Sequence, residues 1–309
     1  MEPTGSLQHQ PTSLDRLRKF ASGGYLYALL DAYDAPAVPA RVQELGRERA
    51  VSLFIGEAEK KYWDLAPYLI QVDEPTLEWM LRTVWNAPCG VFVISKSGLE
   101  TLRTHFRRFL MVQLPDGERW YFRYYDPRIL KVYLENCRTD ELDIFYGPVR
   151  GFGIMDPESD SVLLLHILGA ERSDSPSSVD AGPIWQVRPE QLQALGEASR
   201  KEFEDRMVHH AAKVFPEVCR TLGEEGVRGL VRHGTARAAM YRLTREADLC
   251  RFIELMFAFG RDFDQSTKLP WVSATLLDES IADPSLRLAR VVELANRLPA
   301  QQMAKGTGD

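Results

Sequence analysis

Apolar positions along the chain fall into two regimes. Up to about residue 167 they come as short compact runs at 25–30, 51–54, 68–72, 90–94, 110–114, 120–125 and 162–167, bounded by Gly, Pro, Asp or Ser. Runs of that length, rich in aromatic and β-branched residues, predict strands. Segments between several of them predict helices: 13–20 with Ser13 as cap, 39–46, 75–85 and 97–109. Pro115-Asp-Gly117 is a hairpin signal. Strands alternating with helices around one hairpin predict an α+β or α/β lobe with a mixed sheet.

The second regime begins near Pro189. From there the pattern shows no strand, only amphipathic helical spacing over 192–221, 227–243, 246–259, 270–278 and 284–298. Residues 172–182 between the regimes are rich in Ser, Asp and Pro, the composition of a linker. The expected layout is two-lobed: a disordered leader 1–12, an α/β domain 13–170, a linker 171–188, an all-helical lobe 189–298 and a frayed tail 299–309. No internal repeat is visible.

Composition fits this picture. The chain has 309 residues, 45% hydrophobic and 27% charged, as in a globular protein with ample core. Its net charge of −6 argues against nucleic acid as a partner. Cys89, Cys137, Cys219 and Cys250 form no CxxC or Cys/His spacing and read as reduced thiols, which fits the cytoplasm. Residues 1–11 lack the basic start and apolar stretch of a signal peptide. No apolar run nears the roughly 20 residues of a membrane helix, so no membrane insertion is expected.

The search for catalytic chemistry yields nothing specific. Gly-x-Ser-x-Gly, HExxH, a P-loop and GxGxxG after a strand are absent. His105 reads as a surface or partly packed residue, and His166, in an apolar run, as a satisfied core histidine. His209 and His210 are adjacent on a helix and point apart. Gly260-Arg-Asp-Phe-Asp264 lacks the middle glycine and terminal glutamate of a calcium loop and reads as a helix end. No catalytic residue, metal site or cofactor is expected.

Two clusters suit recognition instead. One is the aromatic and arginine corner Phe122, Arg123, Tyr124, Tyr125, Asp126 and Arg128. There Asp126-Pro127 ends a strand and starts a helix, and Asp126 is placed to pair with Arg123 or Arg128. Its rings are either exposed anchors or core beneath the next helix. The other is Arg103, Arg107 and Arg108 beside Glu100, either a solvated helix face or a contact for an acidic partner.

These residues fall within a longer series of motifs. Tyr27-Ala-Leu-Leu-Asp31, Ser52-Leu-Phe54 with Gly56-Glu57, Pro67-Tyr-Leu69 and Gly90-Val-Phe92 come first. His105-Phe-Arg-Arg108, Phe122-Arg-Tyr-Tyr-Asp-Pro-Arg128 and Phe145-Tyr-Gly-Pro148 follow. In that order they resemble the type VI secretion effector-adaptor, or effector-chaperone, family (domain of unknown function 4123) over about residues 24–150. Ile55 and Tyr68 depart from it, where an acidic residue and a Trp are common. The resemblance implies a non-enzymatic factor that binds a toxic effector protein in the bacterial cytoplasm and loads it on the VgrG/PAAR spike. Its motif positions here are Phe122, Arg123, Asp126, Pro127, Arg128, Gly147 and Pro148. The alternatives are a hydrolase-like enzyme with a site between the lobes, or a structural part of the secretion apparatus.

Overall fold

The computed structural model describes residues 6–85, 87–156, 161–167 and 184–297. The chain divides into two compact units, Met1–Gly196 and Glu197–Asp309. The expected two-lobed α+β architecture is therefore present, with its boundary a few residues later than the sequence suggested. Leader residues 1–5, linker residues 171–183 and the tail 299–309 lie outside the described residues.

In the first unit the chain runs β1 (Leu7–Ser13), α1 (Leu14–Ser22), β2 (Leu26–Asp31), α2 (Val38–Leu45), β3 (Ala50–Ser52) and α3 (Gly56–Lys61). It continues with β4 (Pro67–Gln71), α4 (Glu74–Thr83), β5 (Gly90–Ser95), α5 (Leu99–Arg107), β6 (Met111–Gln113) and β7 (Arg119–Tyr121). Then come α6 (Pro127–Glu135), α7 (Thr139–Tyr146), β8 (Val149–Asp156), β9 (Ser161–Ile167) and β10 (Trp185–Gln186). Helix α8 (Pro189–Val214) starts in this unit and continues into the second.

Seven strands form one sheet in the order β1-β9-β8-β5-β2-β4-β3, and every pairing in it is antiparallel. The expected mixed sheet is corrected here. Helical connections do carry the chain between strands of like direction, but an antiparallel strand is inserted in each gap. Strand β4 separates β2 from β3, and β2 separates β4 from β5. Among the described residues, parallel pairing occurs in the small second sheet, where β10 runs parallel to β6 of the hairpin.

The main sheet is covered on both faces, which is why β2 and β5 are buried along their whole length. Tyr27 and Leu29 join a core with α5, α6 and α7, represented by Phe106, Tyr133 and Phe145. Leu26, Ala28 and Leu30 join the opposite core with α1, α2 and α4, represented by Leu17, Val38 and Met80. Such two-sided burial gives continuous apolar runs in place of alternation.

Two further corrections concern the edge. Residues 7–12, expected as leader, pair with β9 from Leu7↔Ile167 to Ser13↔Ser161. Ser13 takes the N-cap position of α1 without a side-chain cap bond. Strand β8 also escaped the sequence pattern, because Gly151 and Gly153 dilute it. At Gly153 a Cβ would stand 3.1 Å from both Phe92 and Val162, so the neighbours on either side need its missing side chain.

In the second unit, α8 is followed by α9 (Pro216–Met240), α10 (Glu246–Phe259), α11 (Pro270–Leu276) and α12 (Pro284–Ala295). The expected continuous helix 192–221 breaks at Phe215, because Pro216 sits at the start of α9. The backbone of α9 also leaves helical geometry at Gly223. Gly260 ends α10, as its sequence indicated. Phe252, Phe263, Val272 and Leu288 build the larger core. The buried Asp264 carboxylate accepts from Tyr241 Oη at 2.8 Å and Arg237 Nε at 3.1 Å, tying α9 to the turn after α10. No described helix is long and apolar enough to cross a membrane.

Candidate functional site

The corner at 119–128 forms where the hairpin gives way to α6. Strand β7 stops at Tyr121, and the next residues turn inward: Phe122 N–H donates to the Leu110 carbonyl at 2.8 Å and Asp126 N–H to Arg123 at 2.9 Å. Asp126 caps α6 by accepting from the Arg128 backbone at 3.0 Å. Its carboxylate also takes both arms of Arg128, Nε at 2.9 Å and an Nη at 2.6 Å. The expected pairing of Asp126 is thus with Arg128. Fixing the fork this way holds the first turn of α6 and the side chain together.

The rings of the corner point into the core. Phe122, Tyr124 and Tyr125 are 6%, 0% and 2% exposed. Tyr124 lies edge-on to Phe145 at 5.7 Å and donates its hydroxyl to the Phe106 carbonyl at 2.8 Å. Burial pushes the Tyr124 phenol far above its ordinary range. As exposed anchors, Phe122, Tyr124 and Tyr125 are therefore corrected: they pack beneath α6 and α7, the alternative their sequence also allowed.

Arg123 has a different role. Its guanidinium meets Asp31 at 2.6 Å and also Asp34, and lies over the Tyr33 ring at 6.0 Å. Asp31 closes β2 and is 3% exposed. Burial raises the Asp31 pKa, and the charge of Arg123 opposes that rise. The pair fastens the turn after β2, which carries Tyr33, to the segment before α6.

Arg103 and Arg107 are also engaged within the fold. Arg103 donates to the carbonyls of Ser52 and Phe54 at 2.9 and 3.3 Å, and Arg107 to that of Leu53 at 3.1 Å. These carbonyls run along and beyond β3, so the two arginines clamp the chain that leads to Ile55. Neither side chain is a free basic contact, one of the two readings their sequence allowed; of the three, Arg108 is the exposed one. His105, expected at the surface or partly packed, is buried and bonds through Nε2 to the Phe145 carbonyl at 2.8 Å. Its ring fills the space beside Gly147, where a Cβ would come within 2.5 Å. With φ at +48°, Gly147 is both a left-handed turn and a gap for the imidazole.

The remaining histidines and thiols show no shared centre. His210 meets Glu254 at 2.6 Å, and His233 meets Asp262 at 3.2 Å. His166 is half-buried. The four cysteines are unpaired with one another, and burial pushes the Cys89 thiol up to about 11 and Cys137 to about 12. Among the described residues no group of three or more His, Cys, Asp or Glu is placed to hold a metal.

What the sequence reading missed is a patch of exposed aromatic and aliphatic residues around this framework. Tyr33 is 64% exposed, Trp63 46% and Leu65 45%. They line an open groove of about 460 Å³ with Pro36, Pro39 and Asp64. Trp63, Pro39 and Gln43 also border a neighbouring groove of about 680 Å³ that reaches Arg103. Beyond Arg123 lies Tyr121, whose ring meets Phe54 edge-on at 6.0 Å, next to the exposed Ile55. The available signal was local: Tyr33-Asp-Ala-Pro36 and Trp63-Asp-Leu65 set large rings among polar and turn-forming residues, outside any periodic run.

No curated protein and no solved structure matches the chain. Residues 26–143, from the start of β2 into α7 and including the Arg123 pairs, the α5 clamp and the Tyr33–Trp63 groove, match the model of the family described as Domain of unknown function (DUF4123).

Proposed function

We propose that the protein is a non-catalytic adaptor that binds a type VI secretion effector in the cytoplasm of the producing cell and helps load it on the VgrG/PAAR spike. The observation that carries this reading is the set of exposed hydrophobic residues, the aromatics Tyr33, Trp63 and Tyr121 with Leu65 and Ile55, on the segment that matches the DUF4123 model. Trp, Tyr and Arg dominate the energetics of protein interfaces, and clustered exposed rings mark a surface that awaits cover. The ionisable groups beneath it are paired to one another: Arg123 with Asp31 and Asp34, Arg128 with Asp126. Such pairs favour a fixed binding geometry over proton transfer. Motif residues Arg123, Asp126 and Arg128 then act on the partner at one remove, by positioning the segments that carry the rings.

The test is affinity capture of the tagged full chain from its native host under secretion-permissive conditions, read by mass spectrometry. Joint recovery of a spike protein and one large toxin-like partner is the expected result. Capture of neither overturns the proposal.

A further inference from the structure

The chemistry of the Tyr33–Trp63 groove narrows what it binds. Its walls are two exposed rings, Pro36 and Pro39 line it, and the exposed Asp64 stands among them. Among the described residues, neither the Trp63 indole N–H nor the Tyr33 hydroxyl has a hydrogen-bond partner, and Asp64 has no ion pair. The groove therefore offers flat apolar faces, two unused donors and one unneutralised carboxylate.

Three modes of segment capture make different demands on such a surface. Strand addition needs a free sheet edge. The nearby edge strand β3 has only three residues, and the carbonyls of Ser52, Leu53 and Phe54 already accept from Arg103 and Arg107. An amphipathic helix needs a long apolar trough about 10 Å wide and brings no free backbone carbonyls in its interior. Here Gln43 and Asp64 interrupt the apolar lining. A polyproline II segment fits better. It has three residues per turn and no internal hydrogen bonds, so its carbonyls are free to accept and its rings pack flat on aromatic faces.

We propose that this groove binds a proline-rich, extended segment of the partner protein, with a Lys or Arg beside the prolines to meet Asp64. The proposal rests on the adaptor reading of the same surface and names the kind of segment recognised.

The test titrates the full chain by calorimetry with a synthetic Arg-Xaa-Xaa-Pro-Xaa-Xaa-Pro peptide and with its proline-to-alanine counterpart. Saturable binding is expected, weakened about tenfold or more by the alanine peptide and by Trp63→Ala, with Tyr33→Ala as second variant. Asp64→Asn should weaken it several-fold and flatten its salt dependence. Circular dichroism checks that each variant remains folded. Absence of peptide binding, equal binding of the alanine peptide, or indifference to both ring variants overturns the assignment. Affinity capture with Trp63→Ala separates the two readings. If the variant keeps spike and toxin while the peptide fails, the adaptor reading stands and the groove assignment falls. If the wild type captures neither partner yet binds the peptide through Trp63, the reverse holds.

Discussion

The corner at 122–128 and the groove at Tyr33–Trp63 are made of the same materials, aromatic rings beside an arginine and acidic residues, yet they do opposite things. At the corner the rings are buried and the charges lock the backbone; at the groove the rings face solvent. The difference teaches that composition alone does not separate an interface from the core that supports it. Burial decides, and burial depends on what α6 and α7 cover. Arg123 links the two regions, since it belongs to the motif and lies over Tyr33.

The largest expected effect tests the corner as core. Tyr124→Ala should cost about 3–5 kcal/mol, measured by urea unfolding, because it leaves a cavity among Phe106, Phe109 and Phe145 and removes a buried hydrogen bond to the Phe106 carbonyl. A variant with unchanged stability would put Tyr124 on the surface and break the comparison.

Arg123→Ala comes next. It leaves the buried Asp31 without its partner and should cost about 2 kcal/mol at neutral pH, below the full value for a buried pair because Arg123 is one-third exposed. Burial already raises the Asp31 pKa, so the folded state holds the proton more tightly than the unfolded chain. Stability from this group is therefore lost as pH rises, and the cost of the variant should shrink as pH falls from 7 toward about 4. Asp31→Asn in the same background should recover part of the loss.

A smaller effect is expected at Asp73, which caps α4 by accepting from Thr76 N–H at 2.9 Å and pairs with Arg49 at 2.8 Å. Burial opposes ionisation there, but the hydrogen bonds from Arg49 and Thr76 outweigh it and hold the carboxyl down at about 2. A depressed pKa stabilises above the unfolded value of 3.8 and is lost as pH falls toward 2. With 43% of the side chain exposed, solvent screening reduces the contribution to about 1 kcal/mol. Asp73→Asn should lose that amount at pH 7 and flatten the acid limb of the stability curve.

The smallest effect sharpens the other side. In the same unfolding assay Tyr33→Ala, at a ring 64% exposed, should change stability by no more than about 0.5 kcal/mol, and Trp63→Ala, 46% exposed, by about 1 kcal/mol. A loss of 2 kcal/mol or more would make the groove a second piece of core.

Much of this molecule was legible before folding. Two-sided burial of β2 and β5 wrote itself as unbroken apolar runs, and the Asp126-Pro127 cap and the Gly260 stop are local chemistry that any context would read alike. The division into a sheet-bearing unit and a helical unit followed from the change of period, since strand and helix need different spacings of apolar residues. What only the tertiary structure decided was pairing over long separations. The antiparallel insertion of β4 and β2, the pairing of Leu7–Ser13 with β9, and the capture of the carbonyls at and after the end of β3 by Arg103 and Arg107 join residues from tens to more than a hundred positions apart. The same holds for which aromatics face water. A ring carries the same sequence signal in a core and in a groove, and only the neighbours that the fold brings over Tyr124, and leaves away from Tyr33 and Trp63, set the two apart.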